Sequence, residues 1–291
     1  MKEKSLIWIF IVVSQIAFSQ IKGVVKDSVS GKPIPYVNIW VENENIGATS
    51  EENGTFTIDT SKEKKLLFSI IGYHSKKIIL NETNEVFLSQ KNIELENVDI
   101  VTLKKSQSLL VGNSVFKRIT HLLGNYPQIL AKKFDYDSIY KKTPYLQEIE
   151  VFTQSEIKEA TFKLRILLHD KTTDLPIIDL VNEDIIVKVK RGRNKTKIDV
   201  SNYKIKFPEN GLDIGLESMV IESNKYIYSY KYNGLTNDSV VFAPAMICNY
   251  SEEENSYLFL NTKWMKRKLS YNEKEDKNLV IEPAINLILT N

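Results

Sequence analysis

Short runs in which apolar and polar residues alternate, separated by Gly, Pro, Asn and Asp, recur along most of the chain. A period of two marks strands with one face turned to a core. IKGVVK (21–26) predicts an edge strand. The turn Gly31-Lys32-Pro33-Ile34-Pro35 follows, because proline has no N–H to give to a ladder. In YVNIWV (36–41), Val37, Ile39 and Val41 share one face, and Tyr36, Asn38 and Trp40 share the other. Residues 46–50 and 55–58 are short strands joined at Asn53-Gly54, a pair that supplies the positive φ of a hairpin turn. LLFSIIGY (66–73) is nearly continuous apolar and reads as a central buried strand. Strands over 76–80, 85–89 and 98–103 complete seven or eight, enough for a small antiparallel sandwich over residues 21–103.

Residues 104–113 are polar and weakly patterned, and 104–128 reads as a connector. Within it, Val115, Phe116, Ile119, Leu122 and Leu123 have a spacing that predicts one short helix. From Ile129 the strand pattern returns: 146–153, 160–169, 184–190, 196–200, 203–207, 215–222, 226–232, 257–260 and 281–289. Nine or so strands without helical periodicity predict a second, jelly-roll-like β-sandwich over 129–291. The fold class is therefore all-β, with two β-sandwich domains in tandem.

Ahead of the strands, Lys2 and Lys4 precede a thirteen-residue apolar run, Leu6 to Phe18, with Ala17 and Ser19 near its end. The run is too short to span a bilayer and has the length of a signal-peptide core, so residues 1–20 read as a leader. No cysteine follows it to take a lipid anchor, and no other run approaches eighteen apolar residues, so no transmembrane helix is expected. The leader marks the chain as exported. Composition adds little. A formal charge of +2, with basic residues scattered, gives no reason to expect nucleic acid as a partner. Cys248 is the single cysteine, lies in the apolar run AMIC, and reads as a buried, inert thiol.

Four tracts of the first sandwich stand out together: G-x-V-x-D at 23–27, G-x-P-I-P-x-V-x-I at 31–39, G-A-T-S-x-x-N-G-x-F at 47–56 and S-I-I-G-Y at 69–73. In these residues the segment resembles the carboxypeptidase-like regulatory domain, a transthyretin-like (prealbumin-like) module of Gram-negative envelope proteins. The resemblance implies a β-sandwich without catalytic residues of its own and, with the leader, an exported protein that is periplasmic or outer-membrane-associated. A zinc carboxypeptidase needs two His and a Glu as ligands. The histidines here, His74, His121 and His169, fall in different segments and none has a Glu at a suitable offset. No metal or cofactor is expected. Behind the module, TFKLRILLHDKTTDLPIIDLVNEDIIVKV and DVSNYKIKFPENGLDIGLE resemble an uncharacterised β-sandwich domain of exported proteins, with Asp213 and Ser218 standing where bulkier residues are expected. That likeness implies architecture and no chemistry.

Candidate chemistry is sparse. Asp170, Asp174, Asp179, Glu183 and Asp184 cluster, but their spacing does not fit a calcium loop and a solvated loop is the simpler reading. Glu217 and Glu222 lie five apart on a predicted strand, face opposite sides, and read as ordinary surface residues rather than a glycosidase pair. Tyr226, Tyr228, Tyr230 and Tyr232 share one strand face, either a platform for sugar or peptide or a wall of the sandwich. The expected function is that of a non-catalytic exported envelope protein binding a protein or glycan, with peripheral membrane association left open. The alternative is an envelope hydrolase using acids of the second sandwich, which predicts a deep pocket holding two or more of them. An outer-membrane barrel ranks last, since no strand repeats an outward apolar face of about ten residues.

Overall fold

The computed structural model describes residues 20–60, 64–79, 84–91, 103–117 and 119–291. The leader and most of the strand expected over 98–103 lie outside them. Among the described residues the first unit has seven strands: β1 (Gln20–Asp27), β2 (Asn38–Val41), β3 (Gly47–Thr49), β4 (Thr55–Asp59), β5 (Lys65–Ser69), β6 (Lys76–Ile79) and β7 (Glu85–Leu88). They make two sheets, β4-β1-β7 and β3-β2-β5-β6, closed over a core that includes Val25, Val37, Ile39, Phe56 and Phe68. β1 is not the edge strand its pattern suggested. It runs between β4 (antiparallel) and β7 (parallel), so both its edges are paired.

The second unit contains β8 (Ser108–Val111), β9 (Ile119–Leu123), β10 (Ile129–Phe134), β11 (Tyr145–Ser155), β12 (Ala160–Asp170), β13 (Leu175–Asp179), β14 (Ile185–Val189) and β15 (Gly192–Asp199). It continues with β16 (Leu212–Ser218), β17 (Lys225–Tyr232), β18 (Leu235–Ser251), β19 (Ser256–Leu260), β20 (Lys263–Lys266), β21 (Ser270–Asn272), β22 (Lys277–Pro283) and β23 (Ile285–Thr290). One sheet has the order β13-β12-β16-β10-β19-β20, with β14 also on β12. The facing sheet has the order β21-β22-β18-β11-β23-β8, with β15 on β11 and both β9 and β17 on β18. From β10 to β12 the chain passes from one sheet to the other and back, the wrapping of a jelly-roll-like sandwich. The all-β expectation holds.

Three local expectations are corrected. Residues 119–123 form strand β9, not part of a helix, because β18 offers an unpaired edge and Ile119 and Thr120 are β-branched. Residues 203–207 do not form a strand. Ser201–Tyr203 is a 3-10 turn started by the Asp199 carboxylate, which accepts from the Ser201 N–H, and Lys204 then sits at φ 50. The run 281–289 is split at Pro283, where β22 ends and β23 begins after Ala284.

The two units meet face to face. β2 is buried at all four positions, so Asn38 and Trp40, on the face opposite Ile39 and Val41, are covered as well. β16 is buried at all seven positions for the same reason: one side faces its own core, the other faces the first unit. Trp40 donates its indole N–H to the Pro127 carbonyl at 3.2 Å, and the Thr49 N–H donates to the Val220 carbonyl at 3.0 Å. A Cβ on Gly47 would stand 2.6 Å from Pro127 Cδ, so only glycine permits that approach.

Candidate functional site

The outer face of the β12-β16-β10-β19-β20 sheet is written in two cross-strand rows. The first reads Lys163, Glu217, Ile129, Phe259, Trp264. The second, two residues along, reads Arg165, Gly215, Ala131, Tyr257, Lys266. Residues of one face two apart along a strand are neighbours, so each row packs on the next. Gly215 leaves room beside Arg165, since a Cβ there would lie 3.3 Å from the Arg165 Cβ and 2.6 Å from Ile129 Cγ2.

Between this face and the β2–β5 face of the first unit lies a cleft of about 340 Å³, lined among others by Trp40, Arg165, Asp179, Asp184, Glu217 and Trp264. That volume falls at the small end of ligand pockets, roughly 300–1,000 Å³. Glu217 is the centre of its charge network. Its carboxylate accepts from Asn38 Nδ2 across the seam and from the Arg165 guanidinium, with Lys163 Nζ at 3.7 Å. Arg165 also grips Asp179, its Nε donating to Oδ1 at 2.6 Å and its other arm to Oδ2. Lys163 donates to the Tyr36 carbonyl at 2.6 Å and pairs with Asp184 at 2.9 Å.

Burial works against the Glu217 charge, but Arg165, Lys163 and Asn38 outweigh it and hold the carboxyl below its ordinary value. Asp184 goes the other way: burial pushes its carboxyl up despite Lys163, and its Oδ1 is buried without a hydrogen-bond partner among the described residues. Phe259 and Trp264 pack ring against ring at 5.2 Å, and Trp40 meets Phe259 edge-on at 6.3 Å. The cleft thus offers indole and phenyl rings beside a fixed, planar guanidinium–carboxylate array.

A second buried network lies one step further along the same sheet. A bulge between Leu168 and His169 aims His169 at Asp213, Nδ1 to Oδ2 2.9 Å, while Nε2 faces Asp174 at 3.2 Å. Asp174 also accepts from the Tyr257 hydroxyl at 3.1 Å and from Lys266 at 2.6 Å. Burial pushes Asp213 up. For Asp174 burial acts in the same direction, but Lys266 and Tyr257 prevail and hold it at about 2.

The acids expected to share a solvated loop therefore separate. Asp179 and Asp184 join the cleft, Asp174 joins the His169 network, Asp170 caps its own turn through Thr172 and Thr173, and Glu183 accepts from the exposed Tyr203 hydroxyl. Glu217 is fully buried instead of an ordinary surface residue, and Glu222 stands in a 3-10 turn, paired with Lys225 at 3.2 Å. Among the described residues, no three His, Cys, Asp or Glu side chains gather as a metal site. The four tyrosines lie on β17, which among the described residues pairs only with β18. Tyr226 packs against the core, and the Tyr228 and Tyr230 rings stack at 6.2 Å near the surface. Sequence reasoning missed Asn38, Lys163 and Arg165. The one available signal was two cations alternating with core apolar residues in FKLRI (162–166), which puts both on one outward face.

Residues 21–100 match the family model described as the CarboxypepD_reg-like domain, so the first unit is a carboxypeptidase-regulatory-like β-sandwich. The match covers little more than a quarter of the chain and leaves the second unit unassigned. No curated protein matches the chain. Among the described residues, no helix is long and apolar enough to cross a membrane.

Proposed function

We propose that this is an exported, non-catalytic protein of the cell envelope whose cleft binds a glycan or protein segment held in common by its two sandwiches. The second sandwich, on this reading, belongs with those that follow regulatory modules in exported proteins. The observation that carries the reading is the pairing of ring faces with fixed polar groups in one concavity: Phe259 and Trp264 beside Arg165 and Asp179. Aromatic faces cover the apolar side of a sugar or side chain, and the guanidinium–carboxylate array supplies oriented donors and acceptors. Intrinsic tryptophan fluorescence, titrated with peptidoglycan fragments, envelope oligosaccharides and peptides, tests it. A saturable change with one of them, lost in Trp264→Ala, supports the assignment. Hydrolysis of any of them by the pure protein removes the word non-catalytic. Cell fractionation with protease shaving tests the location.

One observation favours the hydrolase alternative: Asp179, Asp184 and Glu217 do line one cleft. Asp184, with its raised carboxyl, has the character of a general acid. Against this, Glu217 and Asp179 are both engaged by the Arg165 guanidinium. Turnover abolished by Asp184→Asn would decide for that alternative.

A further inference from the structure

Strand registers place two unusual features at the same end of the second unit. β11 ends at Ser155, which is opposite Gly192 at the start of β15. On its other edge, Gln154 is opposite Ala245 of the antiparallel β18. β18 therefore runs on past the end of β11, back to Leu235, with β17 as its partner over eight residue pairs. Eight residues of strand extend roughly 25 Å. The ribbon closes at Asn233 (φ 50) and Gly234 (φ 79), a tight turn. Directly paired residues share a face. One face shows Tyr228, Tyr230, Tyr232 and Leu235, the other Ile227 and Val240, and all six are exposed. At the tip, Leu235 is 69% and Tyr232 67% exposed.

Beside the base of this ribbon the β14–β15 turn carries Lys190 and Arg191, both exposed, Arg193 follows on β15 with its guanidinium over the Phe116 ring and donating to the Lys117 carbonyl, and Lys158 stands on the neighbouring β11–β12 turn. Lys231 lies on the ribbon itself. These cations outnumber Glu156, Glu159 and Asp238, and Asp238 already accepts from the Ser229 hydroxyl. A strand added to the free edge of β17, or a flat protein contact, would cover one edge or one face only. Apolar and tyrosine side chains on both faces of a projecting ribbon, with cations at its base, suit immersion among lipid headgroups. There tyrosine takes the interfacial depth and lysine and arginine meet phosphate.

We propose that this end of the molecule docks on an anionic lipid surface, the ribbon tip entering the headgroup layer and Lys190 and Arg191 facing lipid phosphates. The inference does not depend on the cleft having a ligand. It is tested with the full chain carrying Leu235→Cys, labelled with a polarity-sensitive fluorophore, Cys248 being buried. The label reports the tip alone, so membrane contact made elsewhere does not register. Vesicles of phosphatidylcholine with phosphatidylglycerol should shift the emission to the blue, and pure phosphatidylcholine should not. Lys190→Glu with Arg191→Glu should weaken the anionic response about tenfold or more, as should high salt. No shift with anionic vesicles, or an equal shift with both kinds, overturns the proposal. A shift that grows with protein concentration without vesicles also overturns it, by making the ribbon a contact between copies. Tyr232→Cys serves as the second labelled variant should the first misfold.

Discussion

Asn38 and Glu217, 179 positions apart, are joined by a buried hydrogen bond that crosses the seam between the two sandwiches. Among the described residues Glu217 is the one carboxylate that meets Asn38, Lys163 and Arg165 together, while Arg165 also holds Asp179 and Lys163 also holds Asp184. Removing Glu217 leaves the Asn38 amide without its acceptor while Arg165 keeps Asp179 and Lys163 keeps Asp184, a loss of roughly 1–3 kcal/mol for the unsatisfied buried donor. Glu217→Ala should lose about that much stability in urea unfolding. Glu217→Gln, which keeps an acceptor for Asn38 but not the charge, should fall between. A Glu217→Ala protein as stable as the parent would show that the network contributes nothing net.

The acid response has a definite sign. Asp174 is held at about 2, below its ordinary 3.8. A depressed folded value means that its contribution to stability is complete above the unfolded value and disappears as pH falls from about 5 to 2. Glu217, also lowered, acts in the same direction. Asp184 and Asp213, pushed up by burial, act oppositely, and their contribution falls as pH rises above 3.8. Asp174→Asn should therefore be less stable than the parent at pH 7, with the deficit shrinking towards pH 2. Unfolding midpoints measured across that range check it, and a deficit constant with pH would count against the assignment.

The strand pattern was legible wherever one face met a core and the other met water, as in TFTID (55–59), which alternates exposed and buried without exception. It failed where both faces were covered. Glu217 read as an ordinary face residue, and nothing singled out Asn38, because a sequence carries no sign that a second sandwich will stack on that face. The β9 strand was missed because five apolar residues fit a helical spacing, and only the open edge of β18 decides between the two. The hairpin at Asn233-Gly234 was legible and overlooked, an Asn-Gly pair between alternating runs being the strongest short-range turn signal. The cleft could not be read at all, since its lining joins residues from both units.

Gly47 has no Cβ to lose and no room for one. A methyl group there would meet Pro127 Cδ at 2.6 Å and the Ile39 carbonyl oxygen at 2.7 Å, and the second of these is backbone. Gly47→Ala should therefore destabilise by about 1–3 kcal/mol, the usual range for overpacking a closed site. Because the clash lies at the seam, cleavage near residues 124–128 by a protease of broad specificity should also become faster. Thermal unfolding and limited proteolysis of the variant measure both effects, and an unchanged melting temperature would place slack at this contact.

Cys248 sits on β18 between β9 and β22, its neighbours in register being Ile119 and Pro283. Burial pushes its thiol up to about 12, so at pH 8 almost no thiolate exists to attack a disulfide reagent. The native protein should react with an aromatic disulfide far more slowly than the urea-unfolded protein, which should release one thiol per chain. Loosening β9 should change this, since β9 is the strand that covers one edge of β18 at Cys248. Ile119→Gly removes the side chain that packs from β9 onto the core, and labelling should then accelerate at least several-fold without global unfolding. Unchanged protection in that variant, with circular dichroism like the parent's, would mean that β22 and the core shield the thiol and that β9 is dispensable for it.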